Sequence, residues 1–428
     1  MRRIDWSRAS EAEREAALAR PTAQSDAGVA ERVRAILAEV RSGGNGALAE
    51  LTKRFDGVEA ELRVPEADRR AAWAALADSD KAVLERAKAN IEAFHAPQRP
   101  LPYSVETEPG VLCRRLPKAL ESVGLYVPGG TAPLVSTVLM LAVPAAMAGV
   151  ARRVMASPPG RDGRIDTRVL AAAHLCGVTD VFAVGGAQAV AALAYGTESV
   201  PRCNKIFGPG NAYVAMAKSF VSQEMGGPAV DLPAGPSEVM VVADAHASPE
   251  FVAADLLAQA EHDRLAQVVL VTDSSGFADR VERALREQLP RLSRAAIAKA
   301  AIANSRIVVA PRGEVAHIID AYAPEHLILQ TQDAHALLDA ITNAGSVFIG
   351  AWTPESVGDY ASGTNHTLPT GGAARAYSGV NLESFYKLVT VQELTLKGLE
   401  SLGPVVARMA DMEGLDAHAR AVTLRLEA

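Results

Sequence analysis

Apolar residues change their spacing along this chain near residue 110. Upstream, ERVRAILAEVRSGGNGALAELTKRF (31–55) and DKAVLERAKANIEAFHA (80–96) repeat their apolar positions every three to four residues, which predicts amphipathic helices. From Val123 onward, short apolar runs alternate with helical stretches. VGLYVP, RVMASPP, DVFAVGG and KIFGPG each precede an Ala-rich or amphipathic segment. A second series begins at Glu238 with VMVVAD, QVVLVTD, RIVVA, HLILQ and GSVFIG, and includes a helix expected from Gly276 to Ala303. Strand–helix alternation of this kind predicts βαβ units and parallel sheets covered on both faces. The two series meet near DLPAGPSE (231–238), and the crevice between them is the default ligand site. After about Asn381 the pattern is helical again, with no clear strand.

One apolar run is long enough to raise another reading. Thr131–Ala151 carries no charge and could span a bilayer by length. Pro133, Pro144 and its many small residues favour a buried core helix instead. The basic start MRRIDWSRAS lacks an apolar segment behind it and does not read as a secretory signal.

Charge and cysteine content narrow the function. A net charge of −7 and pI near 5.8 argue against nucleic-acid binding, which needs clustered Lys and Arg. The three cysteines, Cys113, Cys176 and Cys203, are widely spaced, so neither a disulfide framework nor a thiolate metal site is expected, and a reducing cytoplasm fits. At 428 residues, 49% of them hydrophobic, the chain has room for about two to four domains and real cores.

Candidate chemistry concentrates in a few segments. In QAEHD, Gln259 and His262 stand three apart and would share one helix face. YAPEHL sets Glu325 beside His326 after Pro324, a carboxylate next to an imidazole. Glu355–Gly372 reads as a long glycine-bearing loop carrying Asp359 and His366. EGLDAHARAV adds Glu413 and His418. Gln259, His262, Asp359 and His418 would make an N/O donor set suited to an open Zn²⁺ site, but chemistry alone does not choose Asp359 over His366 or His418 over His335. Tyr126, Gln188 and FGPGNAY (207–213) fall at strand-to-helix junctions, where ligands of open α/β sheets collect. Gly44 to Ala49 fits a dinucleotide-type glycine pattern but follows a helix, so a helix–helix turn is expected there. His95, His174, His246, His317 and His335 lack partner motifs.

Eight blocks in order, GLYVPGGTAPLVSTVLMLAVPA, GGAQAVAALAYGT, KIFGPGN, DLPAGPSE, DLLAQAEHD, YAPEHL, GDYASGTNHTLPT and GLDAHARAV, resemble the histidinol dehydrogenases from about Val33 to Leu426. The resemblance implies an α/β fold of two doubly wound, incomplete Rossmann-like parallel-sheet domains with helical N- and C-terminal appendages. The expected division is a helical arm over 1–25, one α/β domain over 26–122 plus 238–380, a second over 123–237, and a tail over 381–428. It further implies NAD as oxidant, one Zn²⁺ per subunit, and a cytoplasmic homodimer in which the tail of one subunit completes the partner's site. Carried over by position, the metal ligands are Gln259, His262, Asp359 and His418, and the catalytic pair is Glu325 and His326. Substrate contacts would add Ser237 and Glu413 to Gln259, His262, His326, Asp359 and His418, and NAD contacts would be Tyr126, Gln188 and Asn211. The implied activity is oxidation of L-histidinol to L-histidine through the aldehyde with two NAD.

Three other readings remain: a related zinc/NAD dehydrogenase of another polar alcohol, a zinc hydrolase, or a zinc-tied dimeric binding protein. Two geometric difficulties also stand. Adjacent residues of an extended strand face opposite ways, so Glu325 and His326 cannot share a site unless the turn after Pro324 redirects one. They also precede their strand, whereas ligands of such sheets usually sit beyond the carboxyl ends.

Overall fold

The structure, a computed structural model, describes residues 1–21, 27–129, 133–233 and 235–428. The expected boundary at 25/26, the first two residues of the long apolar run and Ala234 of the joining segment lie outside the described residues.

Among the described residues, two parallel sheets form with the same strand order. The first sheet runs Asp180–Ala183, Arg152–Ser157, Ser122–Tyr126, Lys205–Phe207, Ala229–Val230 across its width. The second runs Arg306–Val309, Gln267–Thr272, Glu238–Ala243, His326–Gln330, Ser346–Ile349, with Arg2–Asp5 added beside Arg306–Val309. Numbered within each series, both orders read 3-2-1-4-5, which is doubly winding about the central first strand. The apolar runs become fully buried strands because helices cover both faces: every residue of Glu238–Ala243 and Gln267–Thr272 is buried.

The long apolar run is a core element, as expected. Its described part forms the helix Val135–Met147, with Thr137 to Ala145 all buried between the first sheet and the helix Asp78–His95. No helix among the described residues is long and apolar enough to cross a membrane. The glycine turn is also where the sequence placed it: Gly44, at φ 51° and ψ −134°, breaks the long helical segment Ala27–Asp56.

Several expectations need correction. The N-terminal segment is not purely helical, because Arg2–Asp5 is a sheet strand; its side Ile4 is buried and its register follows Arg306–Val309. The helices of 27–95 pack chiefly on the first sheet's layer, with Asn90 also donating to Ala361 O at 2.7 Å. Val33, Leu37, Leu48 and Leu51 share a core with Phe182 and Val190 of the first sheet's layer, and Glu66–Ala75 packs on Thr167–Leu175. An amphipathic face states that it is buried but does not name its partner. The tail contains a strand after all: Tyr386–Leu394 pairs antiparallel with Val111–Ala119, which pairs with Tyr103–Glu108. That three-stranded ribbon is largely exposed, so the apolar alternation that marks a half-buried strand is weak. The helix expected over 276–303 is interrupted. It becomes Ser275–Gln288, a short 3₁₀ turn at Leu289–Arg291 containing Pro290, and Ala295–Ala303.

Candidate active site

The carboxyl edge of the first sheet faces the amino edge of the second across a cleft of about 2600 Å³. Ordinary small-molecule pockets hold roughly 300–1000 Å³, so this one has room for a dinucleotide and a second small molecule together.

The first sheet supplies one wall. Tyr126 ends its central strand, and the phenol oxygen accepts a hydrogen bond from Gly186 N at 3.1 Å. Burial pushes the phenol up to about 12, so it stays a neutral hydroxyl. Gln188, in the first turn of Gly186–Tyr195, is nearly buried and lines the same wall. Asn211 caps Ala212–Gln223, its side-chain oxygen accepting from Tyr213 N at 3.0 Å and Val214 N at 3.2 Å. Those two N–H groups are therefore taken by the cap, and the Asn211 amide nitrogen is the polar group left to meet a ligand.

The second sheet supplies the other wall, from three segments. The helix Pro249–Ala260, capped by Ser248, carries Gln259 on its last turn. His262 is not on that helix; it lies in the turn that follows, held by His262 N donating to Gln259 O at 3.2 Å. The expected shared face survives because this turn repeats the helical spacing. Asp359 comes from a short helix, Glu355–Tyr360, where the sequence predicted a loop. Pro354 precedes it and Glu355 occupies its first turn, both helix-start signals that the loop's glycines masked.

Glu325 and His326 both reach the cleft, and the backbone explains how. Ala323 adopts a left-handed conformation, φ 52° and ψ 68°, ending the helix Val315–Tyr322. The chain then enters the strand at His326, while Glu325 still lies before it. The Glu325 carboxylate turns back to accept from Glu238 N at 2.8 Å, and its oxygen lies 3.7 Å from His326 Nδ1. The redirected residue is thus Glu325. A backbone amide at the amino edge of the neighbouring strand holds it there.

His326 is the centre of a buried network. Its Nδ1 lies 3.2 Å from both Gln259 Nε2 and Glu238 O. These two contacts require opposite proton placements. A proton on Nδ1 donates to Glu238 O and leaves Nε2 basic; an unprotonated Nδ1 accepts from the Gln259 amide. Nε2 lies 3.4 Å from Asp359 Oδ1 but has no regular hydrogen-bond partner.

Electrostatics follow from this crowding. Burial alone would depress the His326 pKa, but Glu355, Glu325 and Asp359 outweigh it and push it up to about 10. Burial raises Glu325 to about 8, against the pull of His326 and the Glu238 N–H. Glu355 is likewise raised by burial to about 8, opposed by His326. Asp359 goes the other way: burial would raise it, yet contact with His326 and the charges of His366 and His262 hold it below the usual range. His262 opens onto the cleft but sits deep enough for desolvation to lower its pKa, an effect Asp359 opposes.

Ser237, Gln259, His262, Glu325, His326 and Asp359 therefore line the second sheet's side of the cleft, and Tyr126, Gln188 and Asn211 the first sheet's side. Glu413 and His418 do not join them within one chain. Both are exposed on the C-terminal hairpin formed by Leu396–Met412 and Asp416–Leu426. Sequence reasoning passed over Glu355, whose carboxylate groups with His326 and Asp359 closely enough for a cation to bridge all three. The i, i+4 spacing of Glu355 and Asp359 was the available signal. His366, left undecided by chemistry alone, also lines the cleft.

The donors present fit a borderline divalent cation. Asp359 is ionised, His262 is held neutral, Gln259 offers an amide oxygen, and no thiolate is near.

Comparison with known proteins identifies the family. Residues 18–426 match the family model described as histidinol dehydrogenase. A histidinol dehydrogenase from Vibrio parahaemolyticus is 51% identical, with 100% of this chain and 99% of that protein aligned. One from Xanthomonas euvesicatoria pv. vesicatoria is 52% identical over the same shares. The crystal structure of histidinol dehydrogenase from Elizabethkingia anophelis superposes with a TM-score of 0.95 at 41% identity, covering 100% of this chain and 98% of that one. With the match spanning nearly all of its length, the chain belongs to the histidinol dehydrogenase family of oxidoreductases.

Proposed function

We propose that this protein oxidises L-histidinol to L-histidine through L-histidinaldehyde, reducing two NAD molecules and using one Zn²⁺ per site, at the end of histidine biosynthesis. The observation that carries the reading is the adjacent Glu325 and His326 side chains, buried together between a cation-type donor set and a dinucleotide-sized wall.

Gln259, His262 and Asp359 would hold the metal, with His418 supplied by a second copy of the chain. A bound Zn²⁺ would anchor the substrate's imidazole and amine and, by engaging Asp359, bring the His326 pKa down toward neutrality. With Nδ1–H donated to Glu238 O, His326 Nε2, 3.4 Å from Asp359 Oδ1, is the ring nitrogen left to take the carbinol proton. Tyr126, Gln188 and Asn211 would hold NAD, which would supply the hydride acceptor. Glu325, whose pKa burial raises to about 8, would in its ionised form take a proton from the water that adds to the aldehyde, leaving a hydrate for which a second NAD would supply the hydride acceptor. Ser237 and Glu413 would complete the substrate contacts. The Ser237 carbonyl is already engaged with Gln267 N at 3.1 Å, which fixes the residue at the amino edge of its strand.

A homodimer with exchanged tails accounts for two further features. The C-terminal hairpin exposes Leu396, Met409, Met412, Leu415 and Leu424, and the segment before Asp359 exposes Trp352, its ring tilted 58° to that of Phe251 at 5.9 Å. Apolar surface of that extent is what a partner covers. Three free cysteines fit the cytoplasm.

The deciding experiment counts NADH formed per L-histidinol consumed, before and after chelation. Two NADH per alcohol, lost on chelation and restored by zinc, is expected. A folded, zinc-loaded protein that yields no NADH would overturn the reading.

A further inference from the structure

We infer that Lys218 and Asp231 form a buried clamp that sets the position of the cofactor-side loop, and so act as positioning residues for NAD without touching it. This rests on the NAD reading of the cleft.

The loop in question follows the strand Lys205–Phe207 at the point where the first sheet's winding reverses. Ligands of such sheets collect at this place because two neighbouring connections leave in opposite directions. The loop opens with Gly208 at φ +124°, and a Cβ there would meet Tyr126 O at 2.0 Å, so its backbone is pressed against the end of the central strand. Only glycine can make that approach.

Both polar groups of Gly208 are held by the clamp. Gly208 N donates to Asp231 Oδ2 at 2.7 Å, and Gly208 O accepts from Lys218 Nζ at 2.9 Å. Lys218 Nζ also pairs directly with the other Asp231 oxygen, which in addition accepts from Leu232 N at 2.7 Å. The two side chains are 3% and 1% exposed.

A buried ion pair is a costly way to add stability, since an apolar pair of the same volume usually serves as well. What this pair does, and an apolar pair cannot, is fix both peptide groups of one residue. That residue lies three positions before Asn211. Lys218 comes from the helix that Asn211 caps, so the loop is tied to its own helix as well as to Asp231. Asp231 in turn opens the segment that crosses to Ser237 and the second sheet, with Asp231 N donating to Ile206 O at 3.1 Å. The clamp therefore fixes the cofactor wall relative to the segment that enters the substrate end.

The test measures steady-state kinetics of the zinc-loaded dimer with NAD and L-histidinol varied in turn. Replacing the pair together, as Lys218→Met with Asp231→Leu, removes both charges and both loop contacts without leaving a lone buried ion. The expected result is a KM for NAD raised about tenfold or more, the equivalent of one lost positioning interaction. The KM for L-histidinol and the zinc content should stay near wild type. Asp231→Asn keeps an acceptor for Gly208 N while breaking the charge pair, and should show a smaller rise in the same constant. An unchanged KM for NAD in the folded double variant overturns the clamp, as does an equal rise in the constants of both substrates, which a merely structural role would give. A wild-type enzyme that forms no NADH would instead dispose of the NAD reading, so the two failures are separable.

Discussion

The two parallel sheets share one strand order yet use opposite edges. In the first, the carboxyl edge opens at the winding reversal, with Tyr126 and Gly208 on its two sides. In the second, the same position is closed. Asp244, just past the central strand, accepts from His246 N at 2.9 Å and Gln332 N at 2.8 Å, and Asp244 N donates to Gln330 O. A carboxylate that caps the chain's own amides leaves nothing there for a ligand. The second sheet instead turns its amino edge to the cleft, where Glu238 N, Glu238 O and Ser237 stand at the start of one strand and Glu325 and His326 at the start of the next. An edge becomes a site when its polar groups are left facing open space, and strand order alone does not decide which edge that is.

The strongest way to break this comparison is to disable the amino edge. His326→Asn removes the proposed base for the carbinol proton, and general-base loss costs roughly 10²–10⁴ in rate. We expect kcat for histidinol oxidation to fall by about 10³, with zinc content retained. Equal loss of zinc would mean that His326 holds the metal, as its grouping with Glu355 and Asp359 would permit. In Glu325→Gln the amide can still accept from Glu238 N, so the fold should survive, and aldehyde oxidation should suffer more than alcohol oxidation. The reverse order of effects would remove Glu325 from the water-activating role.

A second prediction asks whether the amino edge is complete within one chain. His418→Ala and His326→Ala chains should each be inactive. If tails are exchanged, their heterodimer contains one intact site, built by the chain retaining His326 and the tail retaining His418. Random pairing makes half of the dimers mixed, so refolding them together should restore about a quarter of wild-type activity. No recovery in a sample shown to contain heterodimers would return His418 to its own chain's surface.

Much of this arrangement was legible before the structure. The strand series were plain because fully buried parallel strands write unbroken apolar runs, and Ser248-Pro249 announced its helix by known capping chemistry. Gln259, His262, Glu325, His326 and Asp359 stood out in the sequence through the family blocks that carry them, and the structure brings them to one cleft. What stayed hidden had no local signature. The Glu238 backbone that redirects Glu325 looks like any strand start, and Arg20, whose guanidinium holds the Glu238 carboxylate through two 2.7 Å bonds, lies 218 residues away in sequence. The Tyr386–Leu394 strand was missed because its partners are equally exposed. The packing of residues 27–95 on the first sheet's layer had no signature either, because amphipathic helices carry no address.

The comparison is sharpened by the smallest effect, at the carboxyl edge of the second sheet. Asp255 lies one helical turn before Gln259, and its carboxylate accepts from Gln330 Nε2 at 2.7 Å, at the far end of the strand that begins with His326. Burial raises it to about 7, against the pull of Gln330. A perturbed carboxyl is often taken as a mark of catalysis, but this one faces a closed edge. Its contribution to folding has a definite sign. Below its unfolded value near 3.8 both states are protonated and no penalty exists. As pH rises toward 7 the unfolded chain ionises first, so stability is lost across that interval and the loss is complete by pH 8. Asp255→Asn removes this titration, and its amide can donate to Gln330 Oε1, which lacks a partner. The variant should be no more stable than wild type near pH 4 and more stable by up to roughly 4 kcal/mol at pH 8, with kcat little changed. Thermal unfolding across that range checks it. A stability gain that does not grow with pH would show that Asp255 is ionised in the fold, and a large loss of kcat would show that the second sheet's carboxyl edge takes part in the chemistry.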